Sequence, residues 1–305
     1  MYQAAKVSRS EFVPIRNLRY HVRVWGEPGP GKTPLVMVHG WMDVAASYQF
    51  VVDEFARDHY IVAPDWRGYG LTDGMGADNY HFPDYLGDLD FLLDHYSPGA
   101  PVHLVGHSMG GNAVMVYAGI RPERIRTLVN LEGFGAGPST AQDAPGRYAR
   151  WMDELKAYHR GEISLKGYDT VDGVAERLMK TNRRLTKDKA DWLARQWAKP
   201  DDKGTWRILG DASHRIVNAN LYRVDEQIAL YERIAAPTLC VEAAENHLKE
   251  WWKGAYNLPD YHERLKSISD VRIAHVEDAG HMLHHDQPRR LAQLIEEFIA
   301  EKSGE

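Results

Sequence analysis

Short apolar runs alternate with amphipathic stretches over residues 35–134 and again from about residue 236. Apolar runs bounded by glycine or proline are typical of buried strands, and apolar residues spaced by three or four positions are typical of helices. The strand-like runs are 35–38, 60–63, 102–105, 126–131, 237–241 and 271–276. Residues 11–26 alternate between apolar and polar positions, which predicts an antiparallel hairpin. The alternation of strands and helices after this hairpin predicts an α/β fold.

This alternation stops between residues 135 and 235. Several helical stretches occupy the segment, separated by prolines and by a polar run, at 146–159, 172–181, 187–198 and 217–233. We therefore expect residues 1–134 and 236–305 to form a core domain, and residues 135–235 to form an inserted helical cap domain.

Residues 106–110 read Gly-His-Ser-Met-Gly and join a β-branched apolar run to a helical one. A serine hydroxyl is a weak nucleophile, so the chemistry needs it lifted clear of the backbone, near a base and beside the N–H groups that open a helix. The sharp turn that achieves this would make side chains at Gly106 and Gly110 collide with neighbouring main chain. We interpret the segment as a nucleophile elbow, with Ser108 as the nucleophile and His107 as a residue that shapes the turn.

Aromatic side chains are frequent in the expected cap, and most of them have to pack between its helices. They include Trp151, Trp192, Trp197, Trp206 and Tyr222. A cap over a serine site also forms the wall of the pocket, and pockets are lined mainly by apolar and aromatic groups. We expect one or two of these residues to contact substrate, and select Trp151 and Tyr222, together with Trp41 and His107 from the core.

Composition narrows the possible partners. The net charge is −6 and the sequence has no long basic block, which argues against nucleic acid and against an anionic membrane surface. No apolar run approaches the roughly eighteen residues of a membrane span, and the first residues lack the apolar core of a signal peptide. The single cysteine, Cys240, lies in a strand-like run and is interpreted as a small buried hydrophobe. We expect a cytoplasmic monomer or homodimer that acts on a small neutral substrate, without a cofactor or a metal.

Three motifs follow strand-like runs in order: His39-Gly40, the stretch 64–70 (Pro-Asp-Trp-Arg-Gly-Tyr-Gly) and the elbow 106–111. Together they resemble the α/β-hydrolase superfamily, in its esterase and haloalkane-dehalogenase-like branch. The resemblance covers residues 35–134 and resumes from about residue 236. It implies the α/β-hydrolase fold, with a mostly parallel central sheet and an inserted helical cap. It also implies an oxyanion hole made by the backbone N–H groups of Trp41 and Met109.

The same resemblance places the base and the acid. His281, in a Gly-His loop after the last strand-like run, matches the base. The usual acid position falls on Asn246, whose amide cannot stabilise an imidazolium as an anion would. Some dehalogenase-like members carry the acid one strand earlier, where this chain has Glu132. We predict Glu132 as the acid and keep Glu245 as the alternative, because a one-residue shift in the loop could bring it in.

A serine at the elbow argues against dehalogenase or epoxide-hydrolase chemistry, for which related members use an aspartate. The prediction is a serine hydrolase that cleaves small carboxylic esters through an acyl-enzyme, with a Ser-His-Glu triad. Thioesters, lactones, carbon–carbon bonds beside a ketone and perhydrolysis remain open, because the same triad serves them. Because Asn246 occupies the usual acid position, a different class of function also stays open: a ligand-binding or receptor-like member of the fold with slow or vestigial catalysis.

Overall fold

The computed structural model describes residues 2–74 and 76–304 of the chain. In chain order, the strands of these residues are Arg9–Ile15 (β1), Leu18–Trp25 (β2), Leu35–Val38 (β3), Ile61–Pro64 (β4), Val102–His107 (β5), Ile125–Leu131 (β6), Gly167–Tyr168 (β7), Ala198–Pro200 (β8), Trp206–Ile208 (β9), Thr238–Ala243 (β10) and Val271–Val276 (β11). The α-helices are Gln49–Glu54 (α1), Phe82–Tyr96 (α2), Met109–Ile120 (α3), Ala144–His159 (α4), Val171–Thr181 (α5), Lys187–Trp197 (α6), Val224–Tyr231 (α7), Leu248–Trp251 (α8), Leu258–Leu265 (α9), Leu283–Asp286 (α10) and Pro288–Ser303 (α11).

The central sheet of the described residues has eight strands in the order β1-β2-β4-β3-β5-β6-β10-β11. Strand β2 pairs antiparallel with β1 and β4, and the pairings from β4 onward are parallel. Every residue of β3, β4, β5 and β10 is buried, because helices cover both faces of the sheet. The structure therefore confirms the α/β fold with a mostly parallel sheet and the opening hairpin.

The parallel strands bring their carboxyl ends to one edge of the sheet. The loop 39–44 follows β3, Ser108 follows β5, and Glu132 follows β6. The loop after β11 carries His281 to the same edge. In sheets of this kind ligands bind outside the carboxyl ends of the strands, so the fold itself gathers the candidate residues.

Residues 135–235 contain α4 to α7 and, in addition, a small antiparallel sheet in the order β7-β9-β8. The polar run that separates two of the expected helices forms β8 and the turn into β9. Asp201 Oδ1 accepts hydrogen bonds from the backbone N–H groups of Lys203 and Thr205 at 3.0 and 2.9 Å, which closes that turn. Strands of two or three residues are too short to show periodicity, so the sequence gives no sign of them.

Two further features bear on the sequence predictions. Within the described residues, no helix is both long enough and apolar enough to cross a membrane. Cys240 is buried in β10, and burial raises the pKa of its thiol to about 12. The thiol is therefore protonated at neutral pH and unreactive as a nucleophile.

Candidate active site

Ser108 lies on the sharp turn between β5 and α3, with φ 52° and ψ −115°. For a residue other than glycine, such a backbone conformation costs on the order of 1–3 kcal/mol and persists only where the surroundings enforce it. A Cβ atom at Gly106 would lie 2.3 Å from the carbonyl oxygen of Gly110, and one at Gly110 would lie 2.5 Å from that of His39. The backbone contacts that hold Ser108 outward therefore require both glycines.

His281 lies between Ser108 and Glu132. Its Nε2 atom is 2.9 Å from Ser108 Oγ, and its Nδ1 atom is 3.2 Å from Glu132 Oε2. A carboxylate only accepts hydrogen bonds, so Nδ1 carries the proton and Nε2 is free to accept from the serine hydroxyl. This is the tautomer that a general base needs.

Glu132 is 2% exposed and also has a positive φ, 55°. Its Oε1 accepts a hydrogen bond of 2.7 Å from the backbone N–H of Ala243, while Oε2 faces His281. A buried carboxylate is tolerated only when it is paired and hydrogen-bonded, and both oxygens meet that condition here. The strand end of β6 thus presents a fixed acceptor to the imidazole.

Glu245 lies elsewhere. Its side chain is exposed and forms an ion pair with Arg184 of the segment between α5 and α6, which lowers the pKa of Glu245. Asn246 makes a local hydrogen bond of 3.4 Å to the backbone of Leu248. Of the two candidate acids, the structure brings Glu132 to His281 and leaves Glu245 at the surface.

Trp41 and Met109 are the residues expected to supply the two oxyanion donors, and each lies on an element next to Ser108. Met109 is the first residue of α3, where a helix leaves its N–H groups unpaired. The loop that carries Trp41 packs against the nucleophile, since a Cβ atom at Gly40 would lie 3.1 Å from Ser108 Cβ. His39 fixes this loop, because its Nε2 accepts from the backbone N–H of Trp66 at 2.9 Å and its Nδ1 donates to the Gly40 carbonyl at 2.8 Å.

The side chain of Trp41 connects this loop to the segment 135–235. Its indole Nε1 donates a hydrogen bond of 3.0 Å to the carbonyl oxygen of His214. The His214 ring is stacked between Tyr69 and Tyr80, with both centroid distances at 3.8 Å. Trp41 itself is 52% exposed. The loop that carries one expected oxyanion donor is thus hydrogen-bonded to the segment 135–235.

Ser108 lines two cavities. The smaller one, about 410 Å³, is mainly apolar and runs beneath α5 and α6; its lining includes Trp41, Met42, His107, Leu178, Leu185, Leu193, Trp197, Trp251 and Met282. The larger one, about 760 Å³, is richer in polar groups; its lining includes Met109, Asn112, Arg147, Asn218, Asn220, Tyr222, Arg223, Gln227 and Trp252. Ser108 therefore lines both a mainly apolar cavity and a more polar one.

The four residues that sequence analysis assigned to the pocket are distributed unevenly. Trp41 and His107 line the smaller cavity and Tyr222 lines the larger one. Trp151, on α4, is partly buried and lines neither of these two cavities. Sequence reasoning missed Trp251, whose ring stands edge-on to the His281 imidazole at 4.7 Å and 86°. The only signal for it in the sequence was the aromatic pair Trp251-Trp252, at the end of α8, with no spacing that marks a site.

Behind His281 lies a buried group made of Asp43, His107 and His284, each offering one ligand atom within 4.8 Å of the others. His107 Nε2–H donates a hydrogen bond of 2.7 Å to the backbone carbonyl of His281. Burial holds the pKa of His107 well below its usual value, so its ring is neutral. Among the described residues, this is the group whose donor atoms could hold a metal ion.

Comparison with known proteins agrees with the fold. A model of the alpha/beta hydrolase fold family matches residues 33–288. The chain is 27% identical over 306 residues to the serine hydrolase-like protein of Danio rerio, an alignment covering 96% of this chain and 89% of that one. It is 36% identical over 277 residues to a cis-3-alkyl-4-alkyloxetan-2-one decarboxylase of Shewanella oneidensis, covering 88% and 82%. The thioesterase domain from the curacin biosynthetic pathway superposes with a TM-score of 0.80 at 22% identity, covering 95% and 99%. The chain belongs to the alpha/beta hydrolase fold family.

Proposed function

We propose that the protein is a serine hydrolase that cleaves small carboxylic esters through an acyl-enzyme intermediate. The observation that carries the proposal is the hydrogen-bonded series Ser108 Oγ, His281 Nε2, His281 Nδ1 and Glu132 Oε2, at 2.9 and 3.2 Å. A serine that contacts a histidine in the correct tautomer, held by a buried carboxylate, is the arrangement that activates a hydroxyl for attack on a carbonyl.

In the proposed reaction, Ser108 Oγ attacks the ester carbonyl while His281 Nε2 takes its proton. The backbone N–H groups of Trp41 and Met109 donate to the oxyanion that forms, and Glu132 stabilises the imidazolium. His281 then gives the proton to the departing alkoxide, which leaves the acyl group on Ser108. Water, activated by the same histidine, releases the acid and restores the serine.

The two cavities suggest how an ester would lie. The apolar lining of the smaller cavity favours a hydrocarbon arm, since burial of apolar surface gains roughly 25 cal/mol per Å². The polar groups of the larger cavity, among them Asn112 and Gln227, favour an arm that carries oxygen or nitrogen atoms. A small ester with one substituent on each side of the scissile bond matches this division.

A lactone is the second candidate. The Shewanella oneidensis relative, 36% identical, is named for an oxetan-2-one, which is a cyclic ester with one alkyl arm on each of two ring carbons. A nucleophile between two cavities is also suited to such a ring. Attack of Ser108 on a β-lactone would yield a β-hydroxy acid after hydrolysis, whereas decarboxylation would yield an alkene and carbon dioxide, so product analysis separates the two.

The test is turnover of p-nitrophenyl esters of increasing acyl length by the wild type and by Ser108→Ala, with fluorophosphonate labelling of both. We expect Ser108-dependent turnover and labelling, with a loss on the order of 10³-fold or more in the variant. Turnover that survives in Ser108→Ala would contradict the proposal. Labelling of Ser108 without turnover of any ester or lactone would favour the ligand-binding class instead.

A further inference from the structure

The group behind the proposed base consists of polar side chains that the protein leaves incompletely bonded. Asp43, His107 and His284 are all buried. Asp43 Oδ2, His107 Nδ1 and His284 Nδ1 have no hydrogen-bond partner within the part of the chain that the structure describes. Asp43 Oδ2 and His284 Nε2 are 3.7 Å apart, which is beyond hydrogen-bond range. Buried polar atoms normally have partners, so an unpartnered polar atom on each of these three neighbouring side chains indicates a group suited to a ligand.

The surrounding hydrogen bonds determine which atoms are available. His107 Nε2–H donates to the carbonyl of His281 at 2.7 Å, so Nδ1 of the neutral ring carries the lone pair. Asp43 Oδ1 accepts from Trp197 Nε1 at 3.1 Å and from the hydroxyl of Ser47, which leaves Oδ2 available. Outer hydrogen bonds of this kind orient the side chains that ligate metals.

The group has a route to solvent. Asp43 and His107 line the cavity of about 410 Å³ that also contains Ser108. His285 lines the same cavity, its ring centroid lies 4.2 Å from that of His284, and neither of its ring nitrogens has a hydrogen-bond partner among the described residues. The cavity therefore reaches two of the three proposed ligands, and His285 adds unpartnered ring nitrogens beside the third.

We propose that Asp43, His107 and His284 bind a divalent transition metal of the Zn²⁺ type, and that the bound ion suppresses hydrolysis at Ser108. Two imidazole nitrogens and one carboxylate oxygen match the ligands that Zn²⁺ takes in sites that keep one position open. The sequence alone predicts no metal, because the three residues lie in the loop after β3, at the end of β5 and in α10, and show no ligand spacing.

The inhibitory half of the proposal rests on the proposed function, whereas metal binding does not. The rings of His107 and His281 have their centroids 4.9 Å apart. During acylation His281 becomes a cation, and a divalent ion on the neighbouring ring opposes that charge. Because His107 also holds the His281 backbone carbonyl, a shift of its ring toward the metal displaces the base.

Metal binding is tested on tag-free protein stripped with EDTA, by competition with a chromophoric chelator for Zn²⁺ and by the visible spectrum after addition of Co²⁺. We expect one ion per chain and a tetrahedral Co²⁺ spectrum. His284→Gln and Asp43→Asn should each bind more weakly by more than the roughly tenfold to hundredfold cost of losing an outer partner, since each alters a ligand itself. His95→Gln, which changes an exposed histidine of α2, should bind like the wild type.

Thermal unfolding in EDTA shows which variants are folded, and at equal Zn²⁺ the unfolding temperature should rise more for the wild type than for His284→Gln. Equal Zn²⁺ affinity in the wild type and in a folded His284→Gln or Asp43→Asn would overturn the site. Binding without loss of ester turnover would overturn the inhibition. A wild type without esterase activity would refute the proposed function, and the binding data would still decide the metal site.

Discussion

Replacing the carboxylate of Glu132 with the isosteric amide of glutamine changes both charge and hydrogen-bond donors at one buried position. The backbone N–H of Ala243 donates to Oε1 at 2.7 Å, so the amide oxygen has to take that place. The amide NH₂ then lies where Oε2 lay, 3.2 Å from His281 Nδ1, and donates to it. The imidazole proton moves to Nε2, which faces Ser108 Oγ and can no longer accept from it.

The magnitude follows from this change of tautomer. A triad whose histidine is held in the wrong tautomer loses about 10³- to 10⁴-fold in kcat, which corresponds to on the order of 4–5.5 kcal/mol of transition-state stabilisation. The assay is kcat and KM for p-nitrophenyl butyrate near neutral pH. KM should change little, because the substituted group touches the histidine and not the substrate.

Glu245→Gln is the matched control, because it makes the same chemical change in the competing acid. Glu245 is exposed and pairs with Arg184, and exposed ion pairs contribute little to stability. The turnover of Glu245→Gln should remain within about twofold of the wild type. A folded Glu132→Gln that loses less than about tenfold, or a larger loss in Glu245→Gln, would refute the assignment of the acid.

Three further predictions concern the base, the elbow and the cap. His281→Ala should lose on the order of 10³-fold or more in turnover while its unfolding temperature stays near that of the wild type. A marked fall in the unfolding temperature of the variant would indicate a structural role instead. Gly106→Ala should lower the free energy of unfolding by about 1–3 kcal/mol, because the new Cβ lies 2.3 Å from a carbonyl oxygen. Gly146 has open space around it, so Gly146→Ala is the control and should be neutral or stabilising; urea melts measure both variants. Burial lowers the pKa of His214 from 6.5 to about 3. Below pH 6.5 the unfolded chain therefore binds a proton that the folded chain does not, and the free energy of unfolding falls as the pH falls from 6.5 toward 3. His214→Gln should remove about 2 kcal/mol of the stability difference between pH 7 and pH 5, and an unchanged slope would contradict this.

The parts of the fold that could be predicted are those with a local signal. Strand β3 is a continuous apolar run and β5 is apolar apart from its histidines, each has a glycine at or just after its end, and such runs are typical of strands buried on both faces. Ser108 and His281 stand out because each occupies a short motif at a strand end. Glu132 could be selected over Glu245 only through the resemblance to members that carry the acid one strand earlier, since the amide of Asn246 cannot balance a positive imidazole.

The remaining features depend on contacts between distant parts of the chain. Trp251 contacts His281 only after β10 and β11 lie side by side. Asp43 and His284 converge only because the loop after β3 packs against α10. Neither contact leaves a periodic pattern in the sequence, and Trp151, selected for its composition alone, lies on α4 outside both cavities at Ser108.

The hydrogen bond from the Trp41 indole to the His214 carbonyl has a consequence for how the enzyme opens. One end of it belongs to the loop that presents the proposed oxyanion donor, and the other belongs to the cap. A cap that swings away to admit substrate has to break this bond or pull the loop with it, and in the second case the proposed oxyanion donor on the loop moves as well. Under the proposed function, we therefore expect substitutions that shift the cap at His214 to alter the turnover rate as well as the fit of the substrate.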